Sequence, residues 1–131
     1  MKFFSNYKKI FYIINISLII LYLFPGSIFG CIFLDNCKTQ PQITPDFAKI
    51  SSNHLYAFFI VSIFGYLTFL KDKQIKYLII YLILLAILLE MCHLFIPERS
   101  FQWSDLLGNL LGVFVVIFFK NLINEYGFFE K

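Results

Sequence analysis

Apolar residues fall along this chain in four long runs, over residues 10–30, 54–70, 77–96 and 104–119, set apart by short polar punctuation. A helix needs roughly 17–25 apolar residues to cross the hydrocarbon core of a bilayer. The apolar positions in these runs are nearly continuous rather than confined to one stripe, the pattern of a helix with no watery side. Pro25-Gly26 interrupts the first run, Lys71-Asp72-Lys73 closes the second and Pro97 the third. The fourth opens at Ser104-Asp105 and stops before Lys120. The pattern predicts an all-α polytopic membrane protein, a bundle of four transmembrane helices forming one domain over residues 1–131.

The basic residues orient that bundle, because cytoplasmic loops accumulate Lys and Arg. Four spans place Lys2, Lys8, Lys9, Lys71, Lys73, Lys76, Lys120 and Lys131 on one side, against Lys38, Lys49 and Arg99 on the other. Both termini are therefore expected in the cytoplasm. A rival reading takes the basic start, the apolar run and Gly30-Cys31 as a secretory signal. Phe29 is bulky beside such a cleavage site, and removal would leave three spans with a mismatched charge pattern, so the segment is expected to stay. The loop over residues 35–53 is rich in Pro, Thr, Gln, Asn and Ser and reads as irregular chain. Cys31 and Cys37 fall at its start on the outer face, where an oxidising compartment would allow a disulfide that the spacing alone does not establish. Cys92 reads as a small apolar filler. The tail, with Tyr126, Phe128 and Phe129, is expected at the membrane interface.

Composition agrees and excludes other classes. Hydrophobic residues make up 60% of the 131 and charged ones 15%, where soluble domains carry about 25% charged. Mean hydropathy is +0.77. A net charge of +3, gathered near span ends, is too small to argue for nucleic acid, and no Gly-rich phosphate loop is present.

The candidate chemistry lies where polar side chains interrupt the last two runs: Glu90, His93, Arg99, Asp105 and Asn109, with His54 opening the second run from the same side. An ionisable group inside a bilayer-length segment is expensive, and by default faces a protein interior or a water cavity. Glu90 lies about 10 Å beneath Pro97 at 1.5 Å per residue. His93 shares its helix face, as Asn109 shares that of Asp105. Two short polar faces are thus expected to meet under the 97–103 turn. Glu90, His93 and Asp105 are the acid–base candidates, with Arg99, Asn109 and His54 as binding candidates and Arg99 reaching back toward the cluster. The competing reading has the same residues pin the helices together, with His54 a polar helix end and Trp103 an interfacial anchor. Gly108 and Gly112 flank Asn109 as a small-xxx-small pair, suited either to packing within the chain or to a homodimer. Ser100 and Ser104 read as turn and cap residues. Glu90-Met-Cys-His93 has the Glu-x-x-His spacing of helical-bundle metal sites, but those use two such motifs. His54, Glu90, His93 and Asp105 are the set a divalent ion would use; no metal or other cofactor is expected.

From Glu90 to Gly112 the chain resembles the VanZ-like family of small bacterial membrane proteins. The residues that carry the resemblance are Glu90, His93, Pro97, Arg99, Asp105, Asn109 and Gly112, with His54 as the upstream histidine. The family commonly has Gln in place of His93, Gly in place of Glu98, and an Asp-Lys pair where Ile50-Ser51 stand here. The resemblance implies a bacterial inner-membrane protein with outward-facing polar residues. It also implies an accessory role like that of the glycopeptide (teicoplanin) resistance protein behind the family's name. Two functions are expected to compete. One is a polar site near the outer leaflet that binds or processes an envelope lipid or cell-wall precursor. The other is a non-enzymatic scaffold whose polar cluster is structural.

Overall fold

A computed structural model of the chain describes residues 2–69 and 73–125. The charged stop at Lys71-Asp72 and the interfacial tail at Tyr126, Phe128 and Phe129 lie outside the described residues. Five helices follow along the described residues, in the order α1 (Lys2–Leu23), α2 (Ile28–Phe33), α3 (Ser52–Phe69), α4 (Ile75–Cys92) and α5 (Trp103–Glu125). Among the described residues there is no strand beyond an isolated bridge between Phe47 and Ile50. Helices α3, α4 and α5 are long and apolar enough to cross a membrane.

Several helix ends have a local cause among the described residues. Pro25 biases Phe24 away from helical geometry, and Gly26 turns the chain at φ +88°, where a side chain would be strained. Ser27 then caps α2, its Oγ accepting the Gly30 N–H at 3.0 Å. A disulfide joins Cys31 at the end of α2 to Cys37. Loop residues cap α3: Asp46 Oδ1 accepts the Ser52 N–H at 3.0 Å, and Ser52 Oγ donates to the Thr44 carbonyl at 2.5 Å.

Helix α4 stops at Cys92, short of the expected residue 96. Beyond it the hydrogen bonds tighten to the i−3 carbonyl, from His93 to Glu90, Leu94 to Met91 and Phe95 to Cys92. Pro97 forbids a return to helix, and Glu98 turns the chain at φ +62°. Helix α5 instead runs past residue 119 to Glu125, because nothing between Lys120 and Glu125 breaks a helix.

Helix α3 is central, packed most closely on α5 and also on α1 and α4, while α4 lies against α5. The α3–α5 seam depends on Gly108 and Gly112. A Cβ on Gly108 would stand 2.5 Å from the Ser51 carbonyl oxygen, and one on Gly112 2.6 Å from that of Leu55. The small pair is therefore filled within the chain. Leu78, Leu82, Leu85, Ala86 and Leu89 form the buried stripe of α4 and meet Phe11 and Leu18 of α1, Phe58 and Val61 of α3, and Val113 of α5.

The outer surface is as apolar as the core. Ile13, Ile16 and Ile20 of α1, Tyr77, Leu84 and Leu88 of α4, and Phe114 and Phe118 of α5 all point outward. The buried set includes Ser52, His54, Ser62, Glu90, His93 and Asn109. Polar inside and apolar outside is the partition of a bundle solvated by lipid.

Candidate functional site

The buried polar groups converge where the upper ends of α1, α3, α4 and α5 meet, around the hydroxyl of Tyr22. That hydroxyl donates to Asn109 Oδ1 at 2.6 Å and stands 3.0 Å from His54 Nδ1. Its one proton is committed to Asn109, so it accepts from His54, and Asn109 Oδ1, 3.2 Å from the same nitrogen, accepts as well. Nδ1 of His54 is therefore the donor to both oxygens. Nε2 faces Asp105 Oδ2 at 3.6 Å. Asn109 donates through Nδ2 to the Ala86 carbonyl at 3.3 Å, tying α5 to α4.

Glu90 is fully buried. Its Oε1 accepts the backbone N–H of Gln102 at 2.9 Å, which fastens the α4–α5 turn to α4. Its Oε2 lies 3.2 Å from His93 Nδ1 and 4.0 Å from His54 Nδ1. The His93 contact has the length of an ion pair, but the ring nitrogen is misaligned, so Oε2 has no hydrogen-bond donor among the described residues. The other nitrogen of His93, Nε2, lies 3.1 Å from the Tyr22 carbonyl and can only donate to it. The Tyr22 ring packs on both imidazoles, stacked on His93 at 5.7 Å and edge-on to His54 at 5.0 Å between centroids, and the two imidazoles meet edge-on at 6.4 Å.

Arg99 does not reach Glu90. It folds over the end of α1, donating from Nη2 to the Leu21 carbonyl at 3.1 Å and from Nε to that of Phe24 at 3.4 Å, with Nη1 3.4 Å from Gln40 Oε1. The last carbonyls of a helix carry partial negative charge and attract a cation. All three acceptors are neutral, so the guanidinium keeps its whole charge facing the space beside it. Burial pulls its pKa below the usual arginine value, while Tyr22, Asp105 and Glu90 pull it up. Arginine stays charged in proteins in any case. Glu98 sits at the tip of the turn and pairs with Lys38 at 3.5 Å, with both groups exposed. Ser104 lies inside the first turn of α5 rather than capping it, and donates to Asp105 Oδ1 at 3.3 Å.

Two cavities meet at His54 and Arg99. A polar one of about 250 Å³ lies under the 35–53 loop and the α4–α5 turn, lined by His93, Asp105, Asp46, Ser100 and Gln102 besides the shared pair. An apolar groove of about 560 Å³ runs down between α1 and α3, past Leu18, Leu21, Ala57 and Ile60. Ser27, Gln40, Gln42 and Asn53 line both.

The six side chains singled out in the sequence thus divide. His54, Glu90, His93, Asp105 and Asn109 form one cluster, with His54 at its centre rather than at a frayed helix end, while Arg99 serves α1. Tyr22 was not visible from sequence, being one of eight tyrosines in an aromatic-rich chain. Only a polar tip one turn before Pro25, level with the other polar groups, could have signalled it. The groove was equally hidden, since no residue type marks a gap between helices. The chain matches no known protein family, no curated protein and no solved structure.

Proposed function

We propose that this is a four-span membrane protein of VanZ-like type, with both termini cytoplasmic, that binds an envelope amphiphile at the outer leaflet of a bacterial inner membrane. The carrying observation is the junction of the two cavities. The apolar groove takes an acyl or polyprenyl chain and the polar cavity its headgroup, with Arg99 placed at the boundary to hold a phosphate or carboxylate. The groove has the 300–1,000 Å³ typical of ligand sites.

Topology supports this reading. The apolar part of α1 is about 20 Å long at 1.5 Å per residue. The break at Pro25-Gly26 and α2 complete its crossing, which gives four spans and puts eight basic residues inside against three outside. The Cys31–Cys37 disulfide suits an oxidising outer face. The VanZ-like resemblance rests on Glu90, His93, Pro97, Arg99, Asp105, Asn109 and Gly112, and points to the same accessory role in the cell envelope.

The test is native mass spectrometry of the full chain purified in mild detergent, with anionic and uncharged lipids added in separate arms. Wild type should retain one lipid, the anionic one more strongly. Ala57→Trp, which plugs the groove, should release both, and Arg99→Ala should abolish the headgroup preference. Equal lipid retention by wild type and Ala57→Trp would sink the proposal. The scaffold reading has its own support, since Arg99, Asn109 and Glu90 each tie one helix or turn to another. On that reading Ala57→Trp leaves envelope phenotypes such as glycopeptide tolerance unchanged.

A further inference from the structure

We propose that His54, Glu90 and Asp105 form a site for one divalent transition-metal ion, with zinc as the best-matched candidate, at the floor of the polar cavity. This goes beyond the amphiphile reading and does not rest on it. One donor atom from each of the three residues lies within 4.8 Å of the other two. His54 is 7% exposed and Glu90 not at all. Donors about 2.0–2.1 Å from a tetrahedral zinc stand roughly 3.4 Å apart, so the three side chains must draw in from the observed spacing to share one ion.

Two features point to a cation rather than to mere proximity. The first is the hydrogen bonding of His54. Tyr22 and Asn109 both accept from Nδ1, which turns Nε2 toward the Asp105 carboxylate at 3.6 Å and leaves that nitrogen as the one available to a ligand. A metal-binding histidine is commonly held this way, its far nitrogen donating to an oxygen that sets the ring plane. Here Asn109 and the Tyr22 hydroxyl are that outer support. The second is Glu90 Oε2, fully buried and without a hydrogen bond among the described residues. An unpartnered carboxylate oxygen inside a bundle is costly. A second carboxylate beside it raises that cost unless a positive charge joins them. Arg99 does not supply it, because it is folded over α1. His93 Nδ1, 3.2 Å from the same oxygen, brings at most a single positive charge. A doubly charged ion neutralises both carboxylates and leaves a coordination position facing the cavity. One imidazole and two carboxylates suit zinc better than magnesium or calcium, which prefer oxygen alone.

The experiment uses the full chain in detergent micelles, stripped with chelator and titrated calorimetrically with Zn²⁺. Wild type should bind one equivalent, with a melting temperature that rises with zinc concentration, as ligand linkage requires. Asp105→Asn keeps the side-chain shape and should weaken binding at least 100-fold, and Glu90→Gln should do the same. Asp105→Cys, titrated with Co²⁺, reports coordination directly and guards against variants that fail to fold. A thiolate at position 105 bonded to cobalt produces a sulfur-to-metal charge-transfer band that wild type lacks. Absence of saturable Zn²⁺ binding by wild type overturns the site. So does wild-type affinity in Asp105→Asn together with no such band in Asp105→Cys.

Discussion

At the residue scale, two side chains carry more than their place in the sequence suggests. Asn109 occupies both ends of its amide, accepting from Tyr22 and His54 and donating to the Ala86 carbonyl. Asn109→Ala leaves the buried Tyr22 hydroxyl proton without its acceptor and removes the tie from α5 to the Ala86 carbonyl, while the His54 N–H keeps only the Tyr22 oxygen. Interhelical hydrogen bonds in membranes average only about 0.6 kcal/mol, with a maximum near 1.7, because the unfolded chain also finds partners. Losing several at one point should cost about 2 kcal/mol, whereas Tyr22→Phe, which removes one hydroxyl and keeps the ring packed on His54 and His93, should cost under about 1 kcal/mol. Reversible unfolding of both variants in mixed micelles measures the difference, and equal costs would show that the hub is Tyr22 rather than Asn109. Which side chains converge was legible because charge and amide groups are conspicuous in apolar runs. Their pairing was not. Arg99 was expected to reach back toward the cluster, but a residue list does not show which helix end lies beside it, and the C-terminal carbonyls of α1 outcompete a carboxylate already held by Gln102.

At the element scale, helix identity followed from apolar run length and helix ends followed from Pro and Gly. The misjudged boundaries at residues 96 and 119 have opposite causes. Beyond Cys92 the chain still winds, but in i−3 hydrogen bonds whose side chains no longer follow the α4 stripe. Beyond Phe119 a charged residue ended the apolar run without ending the helix. The seam between α3 and α5 gives a sharper test. A Cβ at Gly112 meets backbone, 2.6 Å from the Leu55 oxygen and 2.7 Å from the Phe59 nitrogen. At Gly65 it meets the ring edge of Phe11 at 2.9 Å and the methyl tips of Leu78 from 3.1 Å. Backbone cannot step aside without parting the helices, whereas side-chain tips rotate. Gly112→Ala should therefore destabilise by about 2–3 kcal/mol and Gly65→Ala by under about 1 kcal/mol, in line with the usual range for overpacking. Unfolding midpoints of the two variants in one detergent decide this, and a Gly65→Ala protein less stable than Gly112→Ala would contradict the packing described.

At the scale of the whole molecule, the polar cavity, the 35–53 loop, the disulfide and the α4–α5 turn all lie at one end of the helices. The proposal assigns that end to the outside, from the distribution of lysines. Orientation decides the amphiphile reading, since a ligand of the outer leaflet requires it. Gln42 lines the mouth of the cavity, and Lys76 begins α4 at the opposite end. Cys31 and Cys37 are bonded to each other, so Cys92 is the only thiol to remove before single cysteines are introduced. In a Cys92→Ala background, Gln42→Cys should react with a membrane-impermeant maleimide in intact spheroplasts. Lys76→Cys should react only after the membrane is opened. Both side chains are exposed, so failure to label at either is not a matter of burial within the protein. The reverse pattern would put the polar end in the cytoplasm, among nucleotides and reduced thiols. That result would remove the outer-leaflet amphiphile and the oxidising setting of the disulfide together, while leaving the geometry of His54, Glu90 and Asp105 to be judged by its own titration.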